Sequence, residues 1–296
     1  MSLIVENLGK IYGEKQVVRD VSFRVESGKP FGLLGRNGAG KTTIIRMILS
    51  IIKNDFGSII WEGKSIIDSG LKFGYLPEER GLYPKVKVSD QLIYLAVLRG
   101  MSKQNADKAL KFWLERFSIS DYYNRRVDTL SKGNQQKIQL ITAVIHDPDL
   151  IILDEPFNGL DPVNVEIFVD VIKDMSKNKK SIIFSDHMME YVERICADIL
   201  LLDEGITILS GNLKEIKRSY GRINLNIRCE NDISQIISKM NIKYNKTALD
   251  LYKVKVENEE KGYELLRYFV DNGIKINKFE IAEPTLHEIF LEKVGN

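Results

Sequence analysis

Short apolar runs and helix-period stripes alternate along the chain, and their order predicts its layers. Leu3 to Leu8, Val17-Val18 and Val21 to Val25 read as short strands separated by glycine-containing turns, a small antiparallel layer. Pro30 to Leu34 is an apolar strand that runs into a glycine-rich loop and then a helix from near Lys41 to about Ile52. Gly57 to Trp61 and Phe73 to Leu76 are predicted as further strands. From Ser89 to about His146 the spacing turns helical: Leu92, Leu95, Ala96 and Leu98 share roughly one face behind Ser89 as N-cap. A second helix is predicted over Asn105 to Phe117, and a third opens after Ser131. Leu150 to Glu155 is an apolar strand ending in two carboxylates, and Pro162 to about Lys177 a helix with proline near its start, where the missing N–H removes no bond. Ser181 to Phe184, a short helix to Cys196 and Ile199 to Leu202 complete an alternation of strands and helices. That alternation predicts an α/β domain with a parallel sheet covered on both faces and a helical insert over about 86–147.

The pattern changes near Arg218. Ile223, Leu225, Ile227 and Cys229 alternate with polar residues as in a half-buried strand, and Ile233, Ile236, Ile237 and Met240 fall on one helix face. Ile242 to Asn245 and Leu249 to Val256 read as strands, Leu266, Phe269 and Val270 mark a helix, and Ile274 to Ile281 a last strand. The order βαββαβ, closed by a helix from Pro284 to Val294, predicts a small α+β ferredoxin-like domain. The expected division is 1–217 and 218–296.

Composition narrows the function classes. At 296 residues, 44% hydrophobic and 28% charged, the chain is able to bury a core in one large and one smaller domain. A net charge of +2 gives no basic field for nucleic acid. Two cysteines, Cys196 and Cys229, form neither a disulfide framework nor a metal-ligand spacing, which fits a reducing cytoplasm. No basic-then-apolar signal peptide opens the chain, and the longest apolar run, Leu92 to Leu98, is far short of the ~20 residues of a membrane span.

The candidate chemistry starts at Gly35-Arg-Asn-Gly-Ala-Gly-Lys-Thr42, followed by Thr43. It fits G-x-x-x-x-G-K-[ST] between a strand and a helix. Gly35, Gly38 and Gly40 let backbone N–H groups of the loop, Arg36, Asn37 and Ala39 included, turn inward as a nest for an anion. The helix N-terminus adds its positive dipole end. Lys41 is expected on the β/γ-phosphates of a nucleoside triphosphate and the Thr42 hydroxyl on Mg²⁺. Asp154 and Glu155 stand at a buried strand's C-terminal edge, the usual ligand crevice of an α/β sheet. Asp154 is expected to hold Mg²⁺, directly or through water, and Glu155 to deprotonate the attacking water. In Leu130-Ser-Lys-Gly-Asn-Gln135, Ser131 reads as an N-cap, and a helix start carrying Ser and Gly is also an anion site.

Together these segments resemble the ATP-binding subunit of an ABC transporter. Gly35 to Thr42 resemble Walker A, Leu150 to Glu155 Walker B, Leu130 to Asn134 the signature, Gly159-Leu-Asp161 the D-loop, and His187 in Phe184-Ser-Asp-His187 the switch histidine. The resemblance covers about residues 1–215. It implies a P-loop NTPase fold, ATP and Mg²⁺, and two such subunits, identical or closely related, enclosing two ATP molecules head to tail. Ser131 and Gly133 would then touch a γ-phosphate held by the partner, Asp161 would line the seam, His187 would meet the γ-phosphate in its own site, and Tyr12 would stack on adenine. Lys132 and Asn134 depart from the usual glycine and glutamine, and Glu78 replaces the usual Q-loop glutamine while keeping a carboxylate that can approach Mg²⁺. Leu76 to Tyr83, Leu130 to Asn134 and Pro284 to Phe290 resemble the bacterial ABC-2 type exporters, including sodium-extrusion subunits. The implied protein is an ATPase at the cytoplasmic face of the membrane that powers export through a separate membrane-spanning subunit, with Leu82, Tyr83 and Pro84 as docking residues or ordinary loop core. The rival reading is a soluble ABC ATPase acting on ribosomes or DNA. A single cassette, no long heptads and no basic excess speak against it.

Overall fold

The computed structural model describes residues 1–79, 81–240, 242–247 and 251–294. They form two compact units, Met1–Gly211 and Asn212–Asn296. The first runs β1 (Ser2–Tyr12), β2 (Lys15–Glu26), β3 (Phe31–Gly35), α1 (Lys41–Ile48), β4 (Phe56–Trp61), β5 (Lys64–Ser65), β6 (Phe73–Leu76), α2 (Val88–Leu98), α3 (Lys103–Arg116) and α4 (Lys132–Val144). It continues with β7 (Leu150–Asp154), α5 (Pro162–Lys177), β8 (Ser181–Ser185), α6 (Met189–Ile195), β9 (Asp198–Asp203) and β10 (Ile206–Asn212).

The antiparallel layer has the order β2-β1-β4-β5. Val17-Val18 and Val21 to Val25 belong to one strand, not two. The kink between them is local: Asp20 takes a φ of 50°, and the β1–β2 register shifts between Val5 and Leu8 and again between Leu8 and Lys10.

The second sheet has the order β10-β9-β3-β8-β7-β6. β3 runs parallel to β8 and β9, and β7 parallel to β8 and β6. Every residue of β3, β7 and β8 is buried, as a parallel sheet covered on both faces requires. This order is what places the site. The segments leaving the C-terminal ends of β6, β7, β8 and β3 emerge side by side along one edge.

Several predicted boundaries move. α1 stops at Ile48 because Ser50 turns left-handed (φ 56°), and the N–H groups of Ile51 and Ile52 return to Arg46 O. Ser89 is not an N-cap. It lies inside α2, 4% exposed, behind Lys87, and the N–H groups of Val88 and Ser89 go to Arg125 O at 2.9 Å and Tyr123 O at 3.0 Å, so no side-chain cap is needed. β6 packs tightly on α4: a Cβ on Gly74 would lie 1.9 Å from Ala143 O.

The second unit contains α7 (Leu213–Ser219), β11 (Asn224–Cys229), α8 (Ser234–Lys239), β12 (Tyr244–Lys246), β13 (Leu251–Lys255), α9 (Glu259–Asp271), β14 (Ile276–Ala282) and α10 (Leu286–Val294). It begins at Asn212, ahead of the composition shift at Arg218, and α7 buries Leu213 and Ile216. Its sheet order, β12-β13-β11-β14 with every pair antiparallel, is that of a ferredoxin-like βαββαβ fold. Leu225, Ile227, Tyr252 and Val254 pack with Ile237, Leu265 and Phe269 in its core. Leu249, placed at the start of a strand by its sequence, lies outside the described residues. Thr285 and Glu288 form a reciprocal capping box at the start of α10, with bonds of 2.8 and 3.2 Å.

Candidate functional site

The glycine-rich loop joins β3 to α1. A Cβ on Gly35 would lie 2.5 Å from Leu202 O of β9, so glycine is required where the loop leaves the sheet. Gly40 is left-handed (φ 104°) and starts α1 with no side-chain cap. Within the loop Ala39 N–H donates to Arg36 O at 3.1 Å, and the uncapped end of α1 is open to an anion. Arg36, Asn37 and Gly38 are exposed, Ala39, Gly40 and Lys41 buried, and Thr42 and Thr43 half-buried in the first turn of α1. Lys41, 7% exposed, curls over its own loop and donates to Gly35 O at 2.7 Å and Arg36 O at 3.1 Å. Burial lowers its pKa, opposed by the charges of Glu155, Asp154, Glu78 and Asp186. A cavity of about 410 Å³ opens between Arg36 to Ala39 and the β2 residues Lys15 to Val17 and Arg19.

Carboxylates gather along the same sheet edge. Asp154 ends β7 at 2% exposure, and its Oδ2 has no hydrogen-bond partner. Burial raises its pKa to about 6, with the charges of Glu78 and Glu155 adding to the rise and Lys41 opposing it. Glu155, buried, adopts a left-handed φ of 48°, and its N–H donates to Ser185 O at 2.7 Å. Glu155 Oε2 lies 3.3 Å from His187 Nδ1. Leu76 pairs with Leu153, so Glu78 leaves the sheet beside Asp154 and Glu155. Asp186, 1% exposed and accepting from Met188 N–H at 2.8 Å, is also raised to about 6 by burial. Asp186 lies within Phe184-Ser-Asp-His187, where the resemblance assigns a role only to His187.

A second group forms around the start of α4. Ser131 is its N-cap, accepting from Asn134 N–H at 3.4 Å. A Cβ on Gly133 would lie 3.6 Å from Leu160 Cδ2 and 3.7 Å from Asn164 Nδ2. Asp161 caps α5, accepting from Asn164 N–H at 3.0 Å, a bond that holds its carboxyl below the usual range. The signature and D-loop segments therefore meet within one chain. Tyr12 ends β1, 48% exposed, its ring centroid 5.4 Å from Lys10 Nζ. Gln136 and Gln139 of α4 carry no motif in the sequence. Gln136 Nε2 donates to Pro156 O at 3.1 Å, directly behind Glu155.

The donor set suits a hard cation. Asp154 Oδ2 is an orphaned buried oxygen and Thr42 supplies a hydroxyl, while among the described residues no three His, Cys, Asp or Glu side chains form a metal cage of their own. Mg²⁺ is bound in this way, through one or two protein oxygens, substrate phosphates and water.

The model of the ABC transporter family matches residues 18–158, and that of the C-terminal domain of DrrA1-3-like ATP-binding proteins matches residues 211–294. The uncharacterised ABC transporter ATP-binding protein YhaQ of Bacillus subtilis (strain 168) is 48% identical over 99% of this chain and 98% of its own. The chain belongs to the ABC transporter ATP-binding proteins. The linearmycin resistance ATP-binding protein LnrL of the same organism is 28% identical over 99% of this chain and 98% of its own. A solved ATP-binding subunit of an ABC transporter superposes with a TM-score of 0.69 at 29% identity, covering 74% of this chain and 93% of that one. As an ABC ATP-binding protein, the chain binds and hydrolyses ATP and powers transport together with a membrane partner. Among its described residues no helix is long and apolar enough to cross a membrane.

Proposed function

We propose that this ABC ATPase drives export, working as a two-fold pair on the cytoplasmic face of the membrane. The observation that carries the catalytic part is the convergence of Lys41, the orphaned oxygen of Asp154 and the Glu155–His187 contact at one sheet edge. Loop N–H groups from Arg36 to Thr43 cradle the phosphates, and Lys41 turns from its own loop carbonyls to the β/γ-phosphates. Glu155 takes the proton of the attacking water, and His187 holds the Glu155 carboxylate and meets the γ-phosphate. Thr42 and Asp154 hold Mg²⁺, with Glu78 approaching it. When bound, the ion neutralises charge on the β- and γ-phosphates. Tyr12 receives the adenine.

Pairing is supported by the exposure of Ser131 and Asp161, each capping a helix that meets the other's segment. These ends, with Gly133, face the γ-phosphate of a second subunit across a closed two-fold interface. Export is supported by the segments Leu76 to Tyr83, Leu130 to Asn134 and Pro284 to Phe290, and by a full-length relative named for antibiotic resistance. The accessory unit from Asn212 sets self-association or turnover, and nucleic acid is not a partner.

The test is a tagged Glu155→Gln chain recovered from native membranes with ATP and Mg²⁺, its companions identified by mass spectrometry. A polytopic membrane protein is the expected companion, and ATP-driven cargo uptake into inside-out vesicles then reports export. Recovery of ribosomal proteins or DNA overturns the transport reading, and cargo release from such vesicles overturns export.

A further inference from the structure

The segment between β6 and α2 carries Glu78 near one end and Tyr83 further on, and buried glutamine amides pin it at both ends. Gln139 of α4, 4% exposed, donates from Nε2 to Pro77 O at 2.9 Å and to Glu79 O at 3.2 Å, the two carbonyls that bracket Glu78. Gln91 of α2, 3% exposed, accepts from Tyr83 N–H at 3.2 Å and donates to Val86 O at 3.4 Å. Gln139 is costly as mere filling. Its Oε1 is buried without a partner, a penalty that an aliphatic side chain of similar volume would avoid. What an aliphatic residue could not supply is the pair of N–H bonds on either side of Glu78.

The consequence lies at the sheet edge. Glu78 leaves β6 beside the end of β7, and its charge reaches both Asp154 and Lys41. A carboxylate on an exposed loop holds such a place only if its backbone is fixed. Gln139 fixes it from the helix whose first residues carry the signature. We infer that Gln139 is a positioning residue that sets the Glu78 carboxylate against the metal-binding edge, so that the signature helix and this carboxylate move as one piece. The inference rests on the proposed role of Glu78 toward Mg²⁺.

The test uses the full chain loaded with a non-hydrolysable ATP analogue and titrated with Mn²⁺, free Mn²⁺ being read by electron paramagnetic resonance. Gln139→Met removes both donors at similar volume. It is expected to weaken Mn²⁺ binding roughly tenfold, as loss of a partner that orients a metal ligand does, with analogue affinity in the absence of metal unchanged. Glu78→Ala is expected to weaken Mn²⁺ binding as well, and the double variant to be no weaker than Glu78→Ala alone, since Gln139 acts through Glu78. Gln91→Met disturbs the same segment away from Glu78 and is expected to leave Mn²⁺ affinity in place. Additive losses in the double variant, or an equal loss in Gln91→Met, overturn the inference while leaving Glu78 its role. No loss in Glu78→Ala overturns that role and the inference with it. If Gln139→Met unfolds, Gln139→Leu is read in the same cycle.

Discussion

Glu155 Oε2 stands 3.3 Å from His187 Nδ1, which ties the residue just after β7 to one that follows its parallel neighbour β8. Under the proposed roles, Glu155 is the base and His187 holds its carboxylate. Glu155→Gln keeps size and position but cannot accept the proton. Steady-state ATP hydrolysis is expected to fall by about 10²–10⁴-fold while equilibrium ATP binding persists. Near-normal turnover would remove Glu155 from the role of base. His187→Ala, which frees the carboxylate without deleting it, is expected to be less severe.

Lys41 rests on carbonyls of its own loop, from which the proposed function turns it to phosphate. Lys41→Ala removes the ammonium that donates to those carbonyls. ATP affinity is expected to drop about tenfold or more, the usual worth of a hydrogen bond to a charged group. Titration with a fluorescent nucleotide measures this, and unaltered affinity would exclude Lys41 from phosphate binding.

Asp186 gives a pH dependence whose sign is fixed. Its folded-state pKa, about 6, lies above the unfolded value near 3.8. The burial penalty on its charge is therefore fully present above pH 6 and absent below the unfolded value. Asp186→Asn keeps an acceptor for Met188 N–H. It is expected to raise the thermal midpoint of the nucleotide-free chain at pH 7.5, with the gain shrinking as pH falls toward 4. A gain that grows on acidification would reverse the assignment.

Tyr83, 62% exposed, is the apolar candidate for the membrane subunit. Tyr83→Glu is expected to reduce recovery of that subunit at least severalfold in the pull-down, since an unpaired charge in an apolar contact is strongly unfavourable, and to leave ATP binding intact. Undiminished recovery would place docking elsewhere.

What the sequence made legible was whatever depends on neighbours in the chain. The loop from Gly35 to Thr42 follows from its glycines, the strand before it and the helix after it. β7 and the carboxylates at its end follow from an unbroken apolar run, and the ferredoxin-like unit from a clean change of period after Arg218. β10 was missed because Ile206 and Ile208 alternate at an exposed edge, 43% and 37% exposed, and look like loop. Ser89 looks like an N-cap in the sequence, but its N–H finds Tyr123 O, a partner remote in sequence. Gln91, Gln136 and Gln139 carry no sequence signal. They act through backbone carbonyls and N–H groups that only the folded chain brings to them.

The φ of 48° at Glu155 has a thermodynamic consequence. A residue with a β-carbon held in the left-handed region gives up about 1 kcal/mol relative to glycine. Glu155→Gly is therefore the substitution at this position least penalised by the backbone, and it carries no carboxylate. Backbone stability alone favours glycine here. Glu155 stands here against its own backbone preference, and under its proposed role as base this is a place where stability and turnover pull in opposite directions.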